Sequence, residues 1–308
     1  MAKKSIQHNF DVYTICAADG KTRASFVPEK GGVGSSLIMP DQHGERELLF
    51  LHDFFWQREL PDLPGGWPFL FPICARIERN GKEGNYLYDG HVYNLPIHGV
   101  SWWNTWQVLD NEHADQITLA LFDNETTLAH YPFAFEVRLT YRVSPGKLTC
   151  EQTYINCGDK PMPYYAGFHP YFLTPAFGAG KEKVLLNLEP SKRFVYNNRL
   201  TDLIGERELP VLPTPITNPD INEQLMQLGH NKTTQLIYPD GFVIRMTAEG
   251  QEDPNLFSYL QCYTISNKPF FCVEPWMAFP NALNTVSGVR WLAAGASERG
   301  LLTLHSTV

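Results

Sequence analysis

The chain has 308 residues, a formal net charge of -8 and a hydrophobic fraction of 43%. That composition excludes an intrinsically disordered chain, which lacks the apolar residues to fill a core. It also argues against a general binder of nucleic acid or acidic membranes, which needs a clustered basic face, and favours a neutral small molecule or a protein partner.

The N-terminal stretch MAKKSIQHNFDVYTICAADG carries basic residues but no apolar run long enough for a signal peptide, and no later segment has the length of a membrane span. The six cysteines, Cys16, Cys74, Cys150, Cys157, Cys262 and Cys272, form no CxxC pair and no zinc-type spacing with the histidines. A cytoplasmic protein in a reducing compartment is expected, while the even cysteine count leaves disulfides open.

Next along the chain, GGWPFLFPICARIERNGK brings Arg76 out of a run of apolar residues and prolines. Proline removes a ladder donor, so the segment is irregular or at a sheet edge. Arg76 is either a surface side chain with a packed stem or a planar donor fork aimed at ligand oxygens. In YNLPIHGVSWWNTWQV, His98 precedes Trp102, Trp103 and Trp106. Such a cluster is either core or an aromatic floor on which a sugar ring stacks.

Strand signals then dominate. Gln116 to Phe122, Phe135 to Val143, Lys147 to Asn156, Lys183 to Pro190 and Phe242 to Glu249 all alternate with a period of two. The connectors SPGK, NCGDKP and YPDG read as hairpin turns. Between these strands, GFHPYF places His169 before a proline, which holds its backbone extended and presents the ring from stiff chain. The ring is either a satisfied core imidazole or an acid–base group in a cleft. DINEQLMQLG, Asp220 to Gly229, is the one stretch that reads as a short helix, closed by Gly229. Finally, FFCVEPWMAFPNALNT sets Glu274 directly behind four apolar residues, where a carboxylate is either paired with a cation or desolvated with a raised pKa.

These elements predict an all-β fold of large antiparallel sheets with few short helices, in one domain over residues 1–308, with a ligand surface on one concave side.

In order, PFLFPICARI, LPIHGVSW, GFHPYF and VEPW, with YPFAFEVRLTY between the second and third, resemble the aldose 1-epimerase (galactose mutarotase-like) family. The resemblance implies a β-supersandwich and cofactor-free, metal-free interconversion of the α and β anomers of a free aldose, an isomerase reaction. It implies Glu274 as catalytic base, His169 as catalytic acid, and Arg76 and His98 as substrate-positioning residues. It also implies a sugar substrate and no nucleic-acid or membrane partner, in a monomer or weak dimer. An imidazole is expected to need only a small pKa shift to donate at neutral pH.

Members of the family also place an Asp on the sugar hydroxyls, and the register here leaves Asp220 or Asn222 at that position. Two alternatives stand beside the mutarotase. One is a non-catalytic carbohydrate-binding or regulatory protein on the same fold. The other is a hexose-phosphate mutarotase using Arg76, Arg79 and Lys82 at the cleft mouth.

Overall fold

The computed structural model describes residues 1–307. Two of its longest strands, Phe135–Ser144 and Lys147–Asn156, have the alternating sequences of a half-buried strand. Strands β1 (Phe69–Leu70), β2 (Gln116–Phe122), β3 (Phe135–Ser144) and β4 (Lys147–Asn156) are followed by β5 (Gly167–Phe168) and β6 (Tyr171–Leu173). Then come β7 (Gln224–Leu228), β8 (Val243–Gly250), β9 (Tyr259–Tyr263), β10 (Phe270–Trp276) and β11 (Ser297–Thr307).

A nine-stranded sheet has the central order β2-β3-β4-β11-β8, with Gln107–Asp110 at one edge and Thr234–Ile237, Leu185–Asn187 and Thr214–Pro215 at the other. Its strands pair antiparallel, with Ser144 opposite Lys147 across the SPGK turn. Along β3, Phe135, Val137, Leu139, Tyr141 and Val143 are buried while Arg138 and Arg142 face out. That alternation is the pleat of a sheet covered on one face.

The eight-stranded sheet runs Leu203–Arg207, Pro190–Tyr196, β7, β9, β10, β5, β1, with β6 also on β10. Aromatic rings join the two sheets: Phe69 lies 6.2 Å from Tyr154, and Phe71 lies 4.9 Å from Phe135. Each such ring, fully buried, contributes about 1.5–3 kcal/mol through the apolar area it removes from water. A five-stranded sheet from the first 47 residues packs on the same core through Phe26, 4.2 Å from Tyr141. The two α-helices, Glu125–His130 and Ala282–Thr285, are short, and no helix among the described residues is long and apolar enough to cross a membrane.

Three expectations are corrected. Lys183 to Pro190 is not one strand: only Leu185–Asn187 pairs in the nine-stranded sheet, and Pro190 opens a strand of the eight-stranded one. Asp220 to Gly229 is not a helix: a 3-10 turn at Pro219–Ile221 gives way to strand β7. Glu223 between them has φ 48, which ends a helical path, and Leu225, Met226 and Leu228 are buried between neighbouring strands. The pairing available on both sides overrides the local preference. The NCGDKP connector is likewise no hairpin, because Met162–Tyr164 pairs with Arg290–Leu292 and not with β4. YPDG does join antiparallel neighbours, Thr234–Ile237 and β8. The cysteines are unbridged, with Cys157 exposed.

Candidate active site

β10 is buried along its whole length because both of its edges are paired and both faces covered. Glu274, 1% exposed, therefore points from a central strand into the wall of a cleft of about 270 Å³. That volume lies just below the usual range of small-ligand pockets, about 300–1,000 Å³, so the cleft admits one small molecule.

His169 sits between β5 and β6, where Pro170 interrupts the ladder and the His169 N–H donates to Pro68 O at 3.0 Å. Its ring stacks on Tyr171 with centroids 4.7 Å apart and planes 9° apart. Nε2 then lies 3.3 Å from Glu274 Oε1. The two residues, far apart in the chain, thus share one point of the cleft.

His98 is aimed by an unusual local backbone. His98 has φ 62 and Gly99 φ 77, and Ala75 opposite has φ 62. The His98 N–H donates to Ala75 O at 3.0 Å, while the Ala75 N–H donates to His98 Nδ1 at 3.1 Å. Burial, then the neighbouring His169 and Arg76, holds the His98 pKa well below the usual imidazole range, so the ring is neutral. A neutral imidazole that accepts at Nδ1 carries its hydrogen on Nε2, and so presents a donor to the cleft.

Arg76 follows Ala75, half-exposed, with Nε 3.3 Å from Glu83 Oε1. Its carbonyl accepts from the Asn281 N–H, and Asn281 Oδ1 accepts from the Glu78 N–H. The segment after Glu274 therefore clamps the segment that bears Arg76.

The structure brings all four expected residues, Glu274, His169, Arg76 and His98, onto one cleft. Further lining residues were not legible in the sequence: Glu223, Gln261, Tyr196, Tyr263 and Asp62. Gln261 is opposite Glu274 in the β9–β10 register and accepts from the Tyr196 hydroxyl at 3.0 Å. A glutamine inside the apolar strand YLQCY was the available signal.

Neither Asp220 nor Asn222 lines the cleft. Asp220 is exposed and paired with Arg193 at 3.2 Å, and Asn222 Oδ1 accepts from the Thr264 N–H. The carboxylate of that segment that reaches the cleft is Glu223, whose backbone is left-handed. Arg79 and Lys82 form a two-residue hairpin pair and are not among the lining residues, so the three basic residues do not converge. Trp102 and Trp106 belong to the core, and the aromatic residues on the cleft are instead Tyr171, Tyr196, Tyr263 and Trp276.

Burial governs the charges. It pushes Glu274 well above the usual carboxylate range and the Glu223 carboxylate adds to this, while the Trp276 indole N–H, close by but outside hydrogen-bond geometry, opposes it. Burial lowers His169 to about 3. The small imidazole shift expected from the sequence is therefore corrected to a large one, because the ring is 4% exposed and gains no well-aligned hydrogen bond from Glu274. Glu223 is raised by burial, with Arg76 opposing.

The family model described as aldose 1-epimerase matches residues 12–218, a span that includes Arg76, His98 and His169 and ends before Glu223 and Glu274. Protein LacX (chromosomal) of Lactococcus lactis subsp. lactis is 22% identical over 258 residues, 75% of this chain and 80% of that protein. The solved structure of the Slr1438 protein from Synechocystis is 25% identical, with a TM-score of 0.80, covering 96% of this chain and 95% of the other. A galactose mutarotase related enzyme from Lactobacillus acidophilus is 21% identical, with a TM-score of 0.75, covering 96% and 97%.

Proposed function

The chain belongs to the aldose 1-epimerase family, and from that premise and the cleft geometry we propose that it is a mutarotase interconverting the α and β anomers of a free, uncharged aldose. One observation carries the reading. Glu274 Oε1 and Oε2 and His169 Nδ1 are buried without a hydrogen-bond partner among the described residues, while the two side chains meet at 3.3 Å. Buried polar atoms are nearly always satisfied, and the hydroxyls and ring oxygen of one sugar supply the missing partners.

The reaction needs one proton on the pair. Sugar hydroxyls donating to Glu274 favour its carboxylate form, and the proton moves to His169. Glu274 then takes the proton of the C1 hydroxyl while His169 gives one to the ring oxygen, and the bond between C1 and the ring oxygen breaks. The aldehyde turns about the C1–C2 bond, the freed hydroxyl adds to its other face, and both protons return. The His98 Nε2–H and the Arg76 guanidinium hold sugar oxygens and stabilise charge that develops on the ring oxygen. Glu223 accepts from hydroxyls remote from C1.

The acidic lining favours a neutral sugar over a phosphorylated one. Asp62, Glu83, Glu223 and Glu274 face a single guanidinium, and Arg76 is already paired with Glu83. All these groups come from one chain, as a monomer or weak dimer requires, and the exposed, unbridged Cys157 suits a reducing cytoplasm. The test is anomer exchange measured by NMR saturation transfer over a panel of aldoses and their 6-phosphates. Faster exchange of a neutral aldose than of its phosphate is expected. Preference for the phosphate, or no acceleration of any aldose, contradicts the reading.

Two expected results arise here. With His169 lowered to about 3 by burial, the pH profile of kcat/KM should carry no inflection near the ordinary imidazole value of about 6.5, while burial moves the Glu274 limb upward from the ordinary carboxylate value. An inflection near the ordinary imidazole value would mean that His169 titrates as in water. Glu223→Gln weakens sugar binding, raising KM roughly tenfold or more, as loss of a charge-assisted hydrogen bond does, with a smaller change in kcat. Unchanged KM across the aldose panel would remove Glu223 from the sugar site.

A further inference from the structure

Strand β10 carries another ligand-type side chain on the same face as Glu274, one that anomer exchange does not use. Cys272 lies two residues before Glu274, and side chains two apart on a strand share a face. Its Sγ, one His169 ring nitrogen and one Glu274 carboxylate oxygen all lie within 4.8 Å of one another. A tetrahedral zinc ion with bonds of about 2.0–2.3 Å holds its ligands roughly 3.3–3.8 Å apart, so rotamer-scale movement closes the set.

We propose that His169, Cys272 and Glu274 form a binding site for a thiophilic divalent cation of the Zn²⁺ class, and that the bound ion shuts the cleft to sugar. Three further observations support it. The two Glu274 oxygens are buried and unpartnered among the described residues, and Glu274 and His169 are 1% and 4% exposed. The donor set of one thiol, one imidazole and one carboxylate is that of a zinc site, not of a magnesium or calcium site. The route inward is lined by Asp62, Glu83 and Glu223, with Arg76 tied to Glu83, so the field of the cleft draws cations. The ion takes the thiolate and carboxylate forms, so binding releases the Cys272 thiol proton to solvent. The fourth position of the ion opens toward the cleft, where a water completes it. Zn²⁺ and sugar then compete for the same two side chains, and the protein is held inactive until the ion is removed.

The test uses Co²⁺ as a coloured stand-in for Zn²⁺, with untagged protein in a Cys157→Ser background so that the exposed thiol does not contribute. Thiolate-to-cobalt charge-transfer absorption is expected on titration, and Zn²⁺ is expected to abolish it. Cys272→Ser and Cys272→Ala, each checked for native melting, should lose that band. Because loss of an outer-shell partner alone costs about 10–100-fold in affinity, Zn²⁺ should inhibit anomer exchange in these variants at least about tenfold more weakly, with activity in the absence of ion retained. The cobalt band reads binding without any turnover, so its failure is distinguishable from failure of the mutarotase reading. An identical cobalt spectrum in the Cys272 variants, or no spectral change with millimolar Co²⁺, would overturn the proposal.

Discussion

Replacing Glu274 by Gln is expected to slow anomer exchange by about 10²–10⁴-fold, the usual contribution of one acid–base group, and at the same time to raise the melting temperature above neutral pH. The first effect follows from removing the group that takes the C1 hydroxyl proton. The second follows from linkage. Burial raises the folded-state pKa of Glu274 well above its unfolded value, so between those two values the folded state binds more protons than the unfolded one. Stability contributed by this group is fully present below the unfolded pKa and is lost as pH rises through the folded one. The side-chain amide introduced by Glu274→Gln has no such proton to lose.

The gap in melting temperature between variant and wild type should therefore widen as pH rises from the unfolded carboxylate value. His169 works in the opposite sense: its folded pKa is lowered to about 3, so its contribution is present above the unfolded imidazole value and is lost as pH falls toward 3. Thermal melts across pH check both signs. A Glu274→Gln protein that melts lower than wild type at alkaline pH would mean that the carboxylate is stabilised by partners, and so is not a poised base.

The second large effect is structural. Gly99→Ala is expected to destabilise the protein by about 3 kcal/mol or more and to lower kcat/KM through His98. Gly99 has φ +77, and a Cβ there would lie 2.3 Å from Phe71 O and 2.6 Å from Phe71 C. Neither contact is with a flexible side-chain end, and Val100 N donates to the same Phe71 carbonyl at 2.7 Å. The backbone of the Arg76 segment or of the His98 segment has to move, and the two hold each other through Ala75. Gly20→Ala is the control: Gly20 has φ +69 with nothing within 4 Å of a Cβ, so it costs only the backbone strain, about 1 kcal/mol. Equal melting of the two variants would mean that the close approach at Phe71 is easily relieved.

The sequence was most informative where structure is local. Alternation from Phe135 to Asn156 marked two strands to within a residue of their observed ends, because one buried face imposes a period of two. Four segments with unexpected polar residues led to His169, Glu274, Arg76 and His98, which lie on one cleft.

What stayed hidden depends on register between distant strands. Gln261 matters because it lies opposite Glu274, and nothing in YLQCY states that pairing. Glu223 was masked by a stretch whose Leu225, Met226 and Leu228 suit a short helix as well as a strand, and no residue type announces its positive φ. The depth of the His169 pKa shift is likewise a property of the closed core, since a ring before a proline is equally compatible with a wet cleft.

The measurement that bears most directly on the acid–base pair is polarimetry of freshly dissolved α-D-glucose and α-D-galactose with wild-type protein, Glu274→Gln and His169→Asn side by side. Acceleration by wild type is expected, with its loss in both variants, each still folded. Acceleration that survives in either variant would contradict the pairing of Glu274 with His169 as the group that opens and closes the sugar ring.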